Sequence, residues 1–97
     1  MHLSEFQRQI ERIYYERDSA RGAGGTFMWL IEEVGELATE LRDGKDKDAL
    51  ADEFADVLAW LCTLASISGI EIEDAARKYA DGCPGCGNTP CDCSEKN

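Results

Sequence analysis

Basic residues are scarce in this sequence: ten lysines and arginines stand against twenty aspartates and glutamates, for a formal net charge of −10. A surface of that sign repels a phosphodiester backbone, so no nucleic-acid partner is expected. Long hydrophobic runs are missing too. No stretch approaches the roughly 20 apolar residues of a bilayer-spanning helix, and no membrane partner is expected. The start of the chain, Met1-His2-Leu3-Ser4-Glu5, lacks the basic and apolar regions of a signal peptide, which makes a cytoplasmic location the expectation. No segment alternates convincingly as a strand would. What is present is a 97-residue chain, 43% hydrophobic and 31% charged, the composition of one small globular domain. A chain so short buries a modest share of its surface alone, so oligomerisation, a metal or both are expected to support it.

Helical periodicity organises most of the chain. Phe6, Ile10, Ile13 and Tyr14 mark one face of a first helix from about Ser4 to Arg21. Gly22-Ala23-Gly24-Gly25 breaks it, and Thr26 is placed to cap a second helix reaching about Arg42. Phe27, Leu30, Ile31, Val34, Leu37, Ala38 and Leu41 form the apolar stripe of that second helix. After the turn Asp43-Gly44-Lys45-Asp46, a third helix spans about Lys47 to Ser68. Its stretch Val57 to Ala65 is apolar nearly all round, which calls for a partner subunit as well as its own neighbours. A short fourth helix runs from Glu71 to about Asp81. The fold expected is all-α, an antiparallel helical hairpin core in a four-helix arrangement, followed by an irregular cysteine-rich tail.

Two carboxylate pairs carry the chemistry. Glu33/Glu36 and Glu53/Asp56 are each spaced i, i+3, so both members of a pair leave one side of their helix. Glu36 and Glu53 lie equally far from the midpoint of the turn, as do Glu33 and Asp56. An antiparallel hairpin therefore brings two carboxylates from each helix to matching heights. On spacing alone these residues read equally well as solvated positions of a very acidic protein. If they stand near buried surface, the anionic groups need neutralising, and hard oxygen ligands with no histidine or cysteine close by favour Mg²⁺ or Mn²⁺.

Glu32-Glu33-Val34-Gly35-Glu36-Leu37 and Glu53-Phe54-Ala55-Asp56-Val57-Leu58, with sixteen residues between Glu36 and Glu53, resemble the EExxE…ExxD signature of MazG-like all-α nucleoside triphosphate pyrophosphohydrolases. The likeness extends from about Leu3 to Tyr79, which sets a MazG-like helical domain over 1–81. The resemblance implies magnesium-dependent cleavage between the α- and β-phosphates, giving the monophosphate and pyrophosphate, with nucleotide-pool house-cleaning as the expected role. It implies Glu33, Glu36, Glu53 and Asp56 as the magnesium ligands and Glu32 as the catalytic residue that holds or activates water. The short chain and its all-round apolar helix make a homodimer or homotetramer the expected assembly. Trp29 and Trp60 are candidates to stack on a base, although an aromatic at helical spacing is more often core or interface. Lys78 is preferred to Arg77 and Arg21 as the phosphate-binding cation because it fits a position near the end of related domains.

The tail, 82–97, lies outside the resemblance. Cys83-Pro84-Gly85-Cys86-Gly87-Asn88-Thr89-Pro90-Cys91-Asp92-Cys93 has C-x₂-C-x₄-C-x-C spacing. In a chain without a secretory signal this reads as a metal site, and four thiolates with turn residues between them suit a structural Zn²⁺. An iron–sulfur cluster or a redox-active tail fits the spacing as well. Cys62 sits apart, as a core residue. The competing functional class is a non-catalytic, zinc-stabilised interaction module on the same helical scaffold.

Overall fold

The computed structural model describes residues 1–94; the last three positions of the tail, 95–97, lie outside the described residues. Among the described residues there are three α-helices and no strand: α1 (Leu3–Asp43), α2 (Lys47–Ile67) and α3 (Ile72–Ala76), then a 3₁₀ turn over Arg77–Tyr79 and the cysteine-rich segment. None of the helices is long and apolar enough to cross a membrane alone.

The sequence suggests four helices, and the break expected between the first two survives inside α1 as a kink at Gly22. Only Gly22 leaves the helical conformation, at φ 81° and ψ 174°, a region that essentially only glycine occupies. Residues 23–25 remain helical, so the loop expected across Gly22 to Gly25 shrinks to one residue. At about 1.5 Å per residue, a straight helix of 41 residues would run roughly 60 Å. The longest extent of the whole molecule is 42 Å, so the chain changes direction sharply at Gly22. Thr26 consequently lies inside the helix rather than at its cap. Its side chain is fully buried, and its hydroxyl accepts a 3.3 Å hydrogen bond from Arg21 Nη1.

The other boundaries follow ordinary capping chemistry. Glu5 accepts a 2.9 Å bond from the His2 backbone N–H, satisfying one exposed donor at the start of α1. Gly44 N–H returns to Glu40 O at 2.8 Å and closes its end. Asp46 caps α2 by accepting from Asp48 N at 2.9 Å. The expected fourth helix is shorter than the sequence suggests, with its second half drawn into the 3₁₀ turn.

α2 packs against both halves of α1. Ile10, Leu30, Cys62 and Ala65 form the buried apolar core, joined by the buried polar side chains Gln7, Asp18, Thr26 and Thr63. Gln7 ties three elements together. Its amide nitrogen donates to Ser66 Oγ and Ile70 O, and its amide oxygen accepts from Ile72 N, all at 2.9 Å. Much of the predicted core, in contrast, is open. Within one chain Phe27, Ile31, Val34 and Leu41 of α1 and Phe54, Leu58 and Leu61 of α2 are all exposed.

Candidate active site

The short turn at Gly44–Asp46 makes the C-terminal half of α1 and the N-terminal half of α2 antiparallel neighbours, and the carboxylates meet where their equal distance from the turn predicts. Glu33, Glu53 and Asp56 each offer an oxygen within 4.8 Å of the others. Glu36 lies beside them, close enough to hydrogen-bond Glu33 and to repel both Glu33 and Glu53. Glu32 is exposed and outside the three-residue group.

The electrostatics of this group are those of an unneutralised anion cluster. Partial burial pushes the Glu33 carboxyl up to about 7, and the charge of Glu36, its hydrogen bond, and the charges of Asp56 and Glu53 add to the rise. Glu53 is raised by burial first, then by Glu36, Asp56, Glu40 and Asp52. Glu33 Oε2 and Glu53 Oε2 are both buried and accept no hydrogen bond. Leaving such oxygens unsatisfied is costly, and a hard divalent cation relieves both the repulsion and the missing bonds. The residues thus fit an oxygen-ligated divalent ion, with at least one carboxylate from each helix.

Immediately beside the cluster is a cavity of about 500 Å³ lined by Tyr14, Arg17, Arg21, Trp29, Asp56 and Trp60, with Asp18, Ala59 and Thr63 behind them. Asp56 belongs to both the carboxylate group and this wall. Trp29 and Trp60 stack, with ring centroids 6.0 Å apart and planes 15° from parallel. The Arg21 guanidinium carbon stands 4.9 Å from the centre of the Trp60 ring. Arg21 is fixed from behind by Asp18, whose Oδ1 it meets at 3.0 Å. The other Asp18 oxygen accepts from Thr63 Oγ1 at 3.0 Å, which ties the arginine's support to α2.

The two tryptophans singled out from the sequence therefore come together on the wall next to Asp56. Lys78 does not join them there. It lines a second cavity with Tyr79, Cys83 and Cys91, and its ammonium lies 5.2 Å from the Tyr79 ring centre. Arg21 and Arg17 hold the cationic positions beside Asp56 instead. Asp18 and Thr63 have no distinctive sequence signal beyond the i, i+3 spacing of Asp18 to Arg21, which exposed helices share.

Cys83, Cys86, Cys91 and Cys93 also converge, each offering its sulfur within 4.8 Å of the other three, a group that could hold a metal ion. Cys62 is fully buried, as expected of a core residue, and burial followed by the charge of Glu71 pushes its thiol up.

A bent helical hairpin with a carboxylate cluster at its seam and an arginine-flanked aromatic cavity beside it suits anionic, aromatic ligands. The sequence profile of the MazG nucleotide pyrophosphohydrolase domain matches residues 24–85, well over half of the chain, which belongs to that family. The protein is a nucleotide pyrophosphohydrolase. It is 33% identical over 75 residues to a dATP/dGTP diphosphohydrolase of Cyanophage S-2L, an alignment covering 77% of this chain and 67% of that protein.

Proposed function

We propose that this enzyme hydrolyses nucleoside triphosphates to the monophosphate and pyrophosphate, with Mg²⁺ held by Glu33, Glu36, Glu53 and Asp56, and that purine deoxynucleotides are its first candidate substrates. The observation that carries the reading is the pair of buried, unsatisfied oxygens on Glu33 and Glu53, whose carboxylates come within 4.8 Å of each other and of Asp56. A divalent ion bound there neutralises phosphate charge and lowers the pKa of coordinated water. The purine preference rests on the activity named for the cyanophage relative and on the broad aromatic surface of Trp29 and Trp60.

Each remaining residue has a role that follows from its position. Trp29 and Trp60 pack against the base. Arg21, held by Asp18 and Thr26, presents its positive edge to the polyphosphate, and Arg17 supplies a second cation on the same wall. Glu32, exposed next to the ligand cluster, accepts the proton of the attacking water as the oxygen bonds to the α-phosphorus and the pyrophosphate leaves. Orientation matters most here, because water and leaving group must lie on opposite sides of the phosphorus.

A second copy of the chain completes this assembly. The exposed apolar residues of α1 and α2, with Ile31 51% and Phe54 55% exposed, share the hairpin that carries the carboxylates. Large apolar side chains exposed in such number on one hairpin are normally covered by a partner.

The deciding experiment is product analysis with ribo- and deoxynucleoside triphosphates and Mg²⁺, beside Glu36→Gln. The wild-type chain is expected to release monophosphate and pyrophosphate in a 1:1 ratio, fastest with dATP or dGTP, and the variant to lose at least roughly 100-fold in rate. Release of orthophosphate, or equal turnover by the variant, would overturn the reading.

A further inference from the structure

We propose that the C-terminal segment is a closed tetrathiolate zinc site, formed by Cys83, Cys86, Cys91 and Cys93, which is structural and independent of the carboxylate cluster. The argument begins with distances. Cys83 Sγ and Cys93 Sγ are 3.8 Å apart, and Cys86 Sγ and Cys91 Sγ are 4.0 Å apart. A disulfide requires a separation of about 2.05 Å, so neither pair is a disulfide. Four sulfurs at about 2.3 Å from one tetrahedral zinc must stand about 3.8 Å from each other, close to both of these separations. An iron–sulfur cluster interposes several irons and sulfides between its thiolates and holds them further apart than one ion does. With all four sulfurs mutually within 4.8 Å, the site has room for a single ion.

The backbone around the thiols is arranged to hold them there. Cys83 and its partners across the loop close it in both directions: Cys83 N donates to Asn88 O at 3.0 Å, and Gly87 N donates to Cys83 O at 2.6 Å. Gly82 and Gly87 take φ of 123° and 79°, values that L side chains avoid. At Gly82 a side chain has no space either, since a Cβ would come 2.9 Å from Gly87 O. Amide hydrogens point at the sulfurs of Cys83, Cys86 and Cys91. Asp92 N lies 3.5 Å from Cys86 Sγ, Cys93 N lies 3.3 Å from Cys91 Sγ, and the amides of Gly85 and Cys86 bond the Cys83 sulfur. Such N–H···S bonds spread the charge of a metal-bound thiolate and fix its direction. A centre of four thiolates and Zn²⁺ carries a net charge of −2, and Lys78 lines the cavity that Cys83 and Cys91 also line. The lysine thus serves the zinc centre as a nearby cation. All four coordination positions are filled by protein, so no water is available for hydrolysis at this ion.

The test uses the full-length protein, purified reduced and without chelator from zinc-supplemented cells. Elemental analysis is expected to give one zinc per chain, and Co²⁺ exchange to give intense tetrahedral d–d bands with thiolate charge transfer. Cys86→Ser and Cys93→Ser should each bring the zinc ratio towards zero, whereas Glu36→Gln should keep it at one while Mg²⁺-dependent hydrolysis is lost. Failure of the catalytic reading is therefore separable from failure of this one. A chain that stays metal-free after zinc reconstitution, stoichiometric iron or labile sulfide, or a weak octahedral cobalt spectrum would each overturn the proposal.

Discussion

Glu33 shows how one side chain can report on the state of a site. Its carboxyl is pushed up to about 7 from an ordinary 4.5, by burial first and then by its acidic neighbours. A carboxyl whose native value is raised binds its proton more tightly folded than unfolded. In the metal-free protein, stability is therefore greatest below about 4.5 as far as this group is concerned, and falls as pH rises towards 7. A divalent cation binds the deprotonated form and displaces that proton. Below pH 7 the apparent Mg²⁺ affinity is expected to fall, by up to about tenfold per pH unit while one proton is exchanged, as titration calorimetry at pH 6, 7 and 8 would show. A pH-independent affinity would mean that Glu33 is not a ligand. The identity of this residue was legible in the sequence, through the spacing of Glu33, Glu36, Glu53 and Asp56 about the turn. Its burial was not, because periodicity places a side chain at a height on a helix and says little about what covers it.

At the scale of the elements, α2 ends within one residue of where the apolar pattern and Gly69 place it, since cap and period agree there. The break in α1 is narrower than expected because residues 23–25 stay helical where tertiary contacts support them, and Arg21, Thr26 and Trp29 supply those contacts around Gly22. The two arms of α1 are then held separately to α2. Gln7 secures the N-terminal arm, and a polar residue in that role is hard to read from sequence because glutamine usually marks a solvated position. Gln7→Leu would remove three hydrogen bonds and leave Ile70 O and Ile72 N without their buried glutamine partner. It is expected to cost about 2–4 kcal/mol in urea unfolding. The carboxylate cluster lies far from Gln7 in the sequence and on the other arm, so Mg²⁺ affinity should hold in the fraction that remains folded.

For the whole molecule, the exposed apolar surface is the feature a single chain leaves unexplained. Leu41 is 60% exposed and Leu30, on the same helix, only 8%, so the stripe predicted from periodicity divides between an internal seam and an open one. The sequence carried the total amount of apolar surface, while the part of it that one chain buries depends on how sharply α1 bends. Phe54→Glu together with Ile31→Glu is expected to convert a dimer or larger assembly to monomer in sedimentation velocity at micromolar concentration, since each places a charge on the surface to be covered. A wild-type chain already monomeric under those conditions would refute the assembly.

The stacked pair on the cavity wall has a practical corollary. Trp29 and Trp60 are the two tryptophans of the chain, and both face the same cavity beside Asp56. Excited selectively, the protein emits from this cavity and from nowhere else. A cation drawn into the stack, a nucleobase displacing it, or a carboxylate losing its proton next door would each alter the same intrinsic fluorescence, so the natural sequence contains its own optical probe of occupancy and requires no label.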